Sequence, residues 1–170
     1  MTSLQNTNDN FFAPMHPSFN KDVLKLDMNG IIKIALEDKP VSIYKSYKIA
    51  EEKTIDMLML MLIQFQNFYN CKSKMDKPQL EETAYILIQH FRHLNYYDIA
   101  MCLKQAKLHT KIYDRIDGGM ILELLTRYDI DRTGMIVNER EKQKAQQNAE
   151  WSGLGKRSSE ITIKDLFRHE

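Results

Sequence analysis

Five histidines and two cysteines are the residues of this chain best suited to metal or nucleophilic chemistry. His90 and His93 fall within one helical turn, with Cys102 and His109 further along. Zinc sites draw their ligands from tight pairs such as CxxC or HxxxH. This spread reproduces no such spacing, so no metal is expected. Cys71 and Cys102 stand apart from any CxxC and read as reduced thiols in the core, where free cysteine behaves as a small hydrophobe. No GxSxG elbow occurs, and Gly118-Gly119 and Gly153/Gly155 lack the spacing of a phosphate cradle.

The sharpest local pattern is Asp129-Ile-Asp131-Arg-Thr133-Gly134-Met-Ile136, which fits an EF-hand loop at its first, third, fifth, sixth and eighth positions. The twelfth position should bring a bidentate Glu and here brings Arg140, a cation where the main ligand belongs. The segment therefore reads as a helix with exposed charges. Catalysis would have to be assembled from residues distant in sequence, and a pocket gathering Arg92, Asp98, Asp114, Arg115 and Asp117 is where to look for it. Without such a pocket the expectation is a non-enzymatic protein with no cofactor.

Arg115, Arg127 and Arg132 are the candidate nucleic-acid contacts, because residues 79 to 132 can be read as a helix-turn-helix with 117 to 132 as its recognition helix. The same span holds seven Lys and Arg against eight Asp and Glu, with Asp114, Asp117, Asp129 and Asp131 close in sequence to those arginines. Pairing within the protein competes with binding phosphate, so DNA contact is expected to be weak. The whole chain, 24 basic against 23 acidic side chains, carries no field that selects a polyanion.

These residues must be positioned by a fold, and 170 residues with 43% hydrophobic content suffice for one domain with tails. The longest apolar run, Met57 to Ile63, is far short of the ~20 residues that cross a bilayer. The first 20 residues hold a single charge, Asp9, and no signal-peptide pattern, so a cytoplasmic location is expected. Rich in Asn, Ser and Thr, residues 1–19 read as a flexible arm in which Phe11, Phe12 and Phe19 could dock on the domain.

Residues 20–135 are predicted to form an all-α bundle of five helices. Asn20 can cap a first helix with Leu24, Met28, Ile31, Ile32 and Ala35 inward, and a hairpin at Asn29-Gly30 is the competing reading. Pro40 marks a boundary. From about Lys48 to Asn70 apolar residues run on two sides, Ile55, Leu58, Met59, Leu62 and Phe65 on one, and Met57, Leu60, Met61 and Phe68 on the other, as in a central helix. After a loop at 71–78, Pro78 opens a helix, Asn95 with Asp98 starts the next, and Asp117 caps another. Residues 136–170 are expected to be a polar helix extension, a Gly/Ser linker and a short last helix from Thr162. Trp151, Leu154, Leu166 and Phe167 are its candidate anchors for a protein partner.

Residues 82 to 132, about a third of the chain, resemble a family of small phage and mobile-element proteins of gut bacteria. A helix there leads to Tyr-Asp-x-Ile-Asp and then to a helix ending in Tyr and Arg, here Tyr113, Asp114, Ile116, Asp117, Tyr128 and Arg132. Relatives carry glycine where this chain has Lys107 and Thr110. The resemblance implies an accessory of phage-type DNA replication and transfers no catalytic residue. The layout of a helical domain with a tail is also similar to phage helicase loaders. The expected function is accordingly a helicase-loader-like adaptor whose tail grips a protein, a replicative helicase in that setting. A small DNA-binding regulator and a virion or packaging component are the alternatives.

Overall fold

A computed structural model describes residues 19–166, except the side chains of Asn20, Glu150 and 152–166. Its backbone is all-α. Seven helices lie among the described residues: α1 Phe19–Lys25, α2 Met28–Glu37, α3 Ile43–Ile49, α4 Glu51–Phe68, α5 Lys77–His90, α6 Tyr96–His109 and α7 Gly118–Leu166. The chain divides into two compact units, residues 1–132 and residues 133–170.

The expected first helix is two. Its start is Phe19 rather than a residue after Asn20, and it breaks at Leu26, where Asp27 caps α2 by accepting the Gly30 amide at 2.8 Å. Asn29 and Gly30 therefore lie in the first turn of α2, and the hairpin does not form. A seven-residue helix is too short to hold itself together. Lys104, reaching from α6, donates to the carbonyls of Leu24 at 2.9 Å and Leu26 at 2.5 Å, satisfying acceptors that the end of α1 leaves open. Phe19 and Val23, rather than Leu24, are the buried residues of α1. Beyond α2, Lys39 takes a left-handed conformation with φ 46, and Pro40 follows, so the expected boundary stands.

The SIYKSYKI stretch forms α3, which apolar spacing alone did not reveal because one of its two buried positions is Ser46. Ser42 caps it, and the Ile43 amide donates to the Leu94 carbonyl at 2.8 Å, tying its start to the α5–α6 connection. Ala50 separates α3 from α4, so the predicted 48–70 helix begins at Glu51.

Helix α4 packs on α3, α5 and α6. Leu58, Leu62 and Phe65 are fully buried, whereas Leu60 and Phe68 from the second apolar side are exposed. α6 shares the central place, since it packs on α1, α2 and α4 and buries Ile99, Met101, Cys102, Leu103 and Ala106. Both α5 and α6 start with reciprocal capping boxes, Asp76 with Gln79 and Asn95 with Asp98. The 71–76 loop is held from below by the buried Gln66 amide, which accepts from the Met75 N–H at 3.1 Å and donates to the Met75 carbonyl. It is held from the side by a bridge between Ser73 and Arg115, in which Ser73 N–H donates to the Asp114 carbonyl and Ile116 N–H to that of Ser73.

Candidate functional site

The predicted nucleic-acid arginines fall into two environments. Arg115 is exposed and pairs with Asp117 at 3.1 Å; Arg127 is exposed and pairs with Glu123 at 2.9 Å, one turn back along α7. Arg132 is buried, its Nε donating to Asp98 Oδ1 at 2.6 Å, and this corrects its reading as a surface contact. The connection from α6 to α7 spans residues 110–117, longer than the three or four residues of a helix-turn-helix joint. On α7, Ile121, Leu125 and Tyr128 of the would-be recognition helix are buried.

Asp98 gathers three hydrogen bonds in the interior of the first unit. It is wholly buried, accepts the Tyr128 phenol at 3.0 Å on the same oxygen as Arg132, and accepts the Asn95 amide at 3.0 Å on the other. One carboxylate thus closes the N-terminal cap of α6 and fastens the first four turns of α7. Burial, followed by the neighbouring carboxylate, pushes the Tyr128 phenol well above its ordinary range, so it remains a donor. The buried charge is matched by a guanidinium and fully hydrogen-bonded, which is the condition under which a buried ion is tolerated.

Of the residues of the proposed catalytic pocket, Arg115 and Asp117 pair with each other, while Asp98 and Arg92 are engaged elsewhere. Asp98 is committed as described, Asp117 caps α7 by accepting the Met120 amide at 2.9 Å, and Arg92 stacks 3.8 Å over the Tyr44 ring. His93 Nε2 lies 2.6 Å from Asp129 Oδ1, and Asp129 and Asp131 sit in α7, where a spacing of two sets side chains on opposite sides. The EF-hand-like segment is helix rather than loop. Among the described residues, no group of three His, Cys, Asp or Glu side chains is placed to hold a metal ion. Burial pushes the Cys102 thiol up to about 12. A groove of about 720 Å³ beside the start of α4 sets Glu51, Glu52, Asp56 and Glu81 with Lys53 and Lys77 over Ile55 and Met59. Its mixed charges are open to water. No described helix is long and apolar enough to cross a membrane.

The second unit is helical from Thr133 to Leu166. This replaces the expected linker around Gly153 and Gly155 and the separate helix from Thr162. Two helical glycines cost about 1 kcal/mol each relative to alanine, while the Ala, Glu, Gln, Lys and Arg residues of 139–150 favour helix. Trp151 is 75% exposed and Val137 46%. They are fourteen residues apart, close to a whole number of turns, and so share a face. Between them the surface is charged and amide-rich, with Lys142 paired to Glu139 at 3.8 Å. The side chains of Leu154 and Leu166, and Phe167 entirely, lie outside the described residues.

The positions carrying the family resemblance acquire physical roles. Ile116 is buried, Asp117 caps α7, Tyr128 and Arg132 close on Asp98, and Tyr113 is 72% exposed. Thr110 has φ -111, an extended conformation open to any residue. Comparison with protein-family models, curated proteins and solved structures finds no match to this chain. Sequence reasoning missed Gln66 and the pairing of Asp98 with Arg132. Nothing in the sequence set Gln66 apart from its neighbours Gln64 and Asn67; for Asp98 the signal was a carboxylate at the third position of a capping box.

Proposed function

We propose that the protein is a non-enzymatic adaptor of phage-type DNA replication, helicase-loader-like, that binds a protein partner through the helical segment 133–166. The observation that carries this reading is Trp151, a large aromatic exposed on a helix whose surroundings are polar. Aromatic anchors at turn-spaced positions suit a helix laid into an apolar groove, and tryptophan is among the residues most enriched where binding energy concentrates. The partner is accordingly a protein with such a groove, and a replicative helicase is the partner that the resemblance at residues 82–132 implies. The replication setting rests on that resemblance, and the anchoring residue on exposure.

Affinity capture from the host with the full chain and with a chain ending at residue 150 tests the reading. The full chain is expected to retain a protein that the shortened one loses. Retention of every partner by the shortened chain refutes it.

A further inference from the structure

Two faces of the first unit, reached from different sides of α4, carry opposite charge. The first half of α4 and α5 bound the groove of about 720 Å³, where the carboxylates of Glu51, Glu52, Asp56 and Glu81 outnumber the ammoniums of Lys53 and Lys77 above Ile55 and Met59. The second half of α4 meets α1 and α6 around a cleft of about 200 Å³, whose walls include Met61, Leu103, Lys104 and Lys107. No carboxylate occurs in α4 beyond Asp56 or in α6 beyond Asp98. Lys104 is turned to the carbonyls of Leu24 and Leu26, and the Lys107 ammonium lies 5.2 Å from the Phe68 ring centroid. Among the described residues neither meets a carboxylate. Exposed apolar side chains rim the same cleft: Leu24 is a wall residue, Leu60 and Phe68 lie one turn either side of the wall residue Gln64, and Leu108 is one turn beyond Lys104. Clustered apolar exposure of this kind marks a surface that something covers.

We propose that a second copy of this chain covers the cleft: molecules associate head to tail, the Lys104 and Lys107 face of one seated on the acidic groove of the next. Charge complementarity selects this occupant, since each face supplies the sign that the other lacks. The apolar parts match as well. The groove is the larger of the two hollows and can receive Phe68 and Leu108 over Ile55 and Met59. Positions 52, 55, 56 and 59 lie roughly 130° around the α4 axis from positions 60, 64 and 68, so a molecule cannot close its own groove with its own cleft. The contact joins two different patches, and such heterologous contacts leave one face open at each end, so that growth passes the dimer into a ring or a longer chain. A formal net charge of +1 sets little general repulsion between copies. The complementary charges should steer the encounter and make it sensitive to salt. The proposal is independent of the adaptor reading, because both faces lie in the first unit and Trp151 plays no part in it.

Analytical ultracentrifugation of the full chain over a concentration series tests it. At low salt the weight-average mass is expected to rise past that of two 20.1 kDa chains, and at about 1 M salt, where the Debye length is about 3 Å, to fall back towards one. Lys107→Glu reverses charge in the cleft, and the double variant Glu52→Lys, Asp56→Lys reverses it in the groove. Each is expected to keep the circular dichroism of the unmodified chain and to stay monomeric alone. Mixed in equal amounts they are expected to form pairs, because each retains the unaltered face that fits the other's. A monomer at every concentration in low salt overturns the proposal and leaves the cleft to an acidic segment of another protein. Growth that both variants retain, or that salt does not reverse, overturns it by placing the contact elsewhere on the chain. Folded variants that fail to pair when mixed overturn it too.

Discussion

Arg132 Nε and Asp98 Oδ1 meet at 2.6 Å from opposite ends of 34 residues of sequence, with side chains 9% and 0% exposed. The pair joins α6 to α7 at the last residue of the first unit. Tyr128 and the Asn95 amide complete the carboxylate's hydrogen bonds, so no polar atom of Asp98 needs water.

Arg132→Met keeps much of the side-chain volume and leaves the Asp98 charge buried without its cation. Breaking a buried pair from one side typically costs about 3–5 kcal/mol. Denaturant unfolding should show a loss of that order, and a loss below about 1 kcal/mol would mean that the pair is not buried in solution.

Charge reversal separates the arginines. Arg132→Glu sets two carboxylates against each other in the interior and should unfold the domain. Arg127→Glu exchanges an exposed pair for a repulsion worth a few tenths of a kcal/mol along the helix. It should leave both the melting temperature and any weak duplex retention nearly unchanged. A folded Arg127→Glu variant that loses salt-sensitive duplex binding would support the DNA-binding alternative instead.

Alkaline stability follows from burial. Cys102 is pushed up from 9.0 to about 12, and Tyr128 is raised by burial and by Asp98. Above pH 9 the unfolded chain releases the thiol proton while the folded chain keeps it. Stability is therefore fully present below about pH 9 and falls as pH rises towards 12, by at most about 1.4 kcal/mol per pH unit for each such group. Cys102→Ala should flatten part of this fall. Consistent with the same burial, a thiol reagent at pH 8 should label Cys71 before Cys102 in the native protein.

Two glycines of α7 should respond in opposite directions to alanine. A Cβ at Gly118 would lie 2.5 Å from Thr83 Oγ1, a hydroxyl held at 2.6 Å on the Gln79 carbonyl, so Gly118→Ala should destabilise by about 1–3 kcal/mol. A Cβ at Gly134 meets nothing within 4 Å, and Gly134→Ala should stabilise the helix by about 0.5–1 kcal/mol. Thermal melts of the two variants check both signs.

The helices that could be read from sequence are those whose ends carry side-chain chemistry. Asn95 with Asp98, Asp117 before Gly118 and Pro78 after the loop each fixed a boundary that the structure keeps or meets within a residue. The break after α1 and the whole of α3 escaped because α1 and α3 are each seven residues long and draw their support from distant groups, Lys104 for one and the Leu94 carbonyl for the other. Leu60 and Phe68 were assigned to the core because periodicity records which residues are apolar, not whether a neighbouring helix covers them. Arg132 reads as a surface contact for the same reason. Its partner lies on another helix, and nothing local to residue 132 announces it.

The central claim is that Trp151 is where the partner is gripped. A photo-crosslinking amino acid in place of Trp151, activated in the host cell and compared with one in place of Tyr113, measures this most directly, since both native residues are more than 70% exposed and only one lies in the second unit. The account predicts a discrete protein adduct from position 151, absent from position 113. No adduct at 151, or the same adduct from both positions, would contradict it.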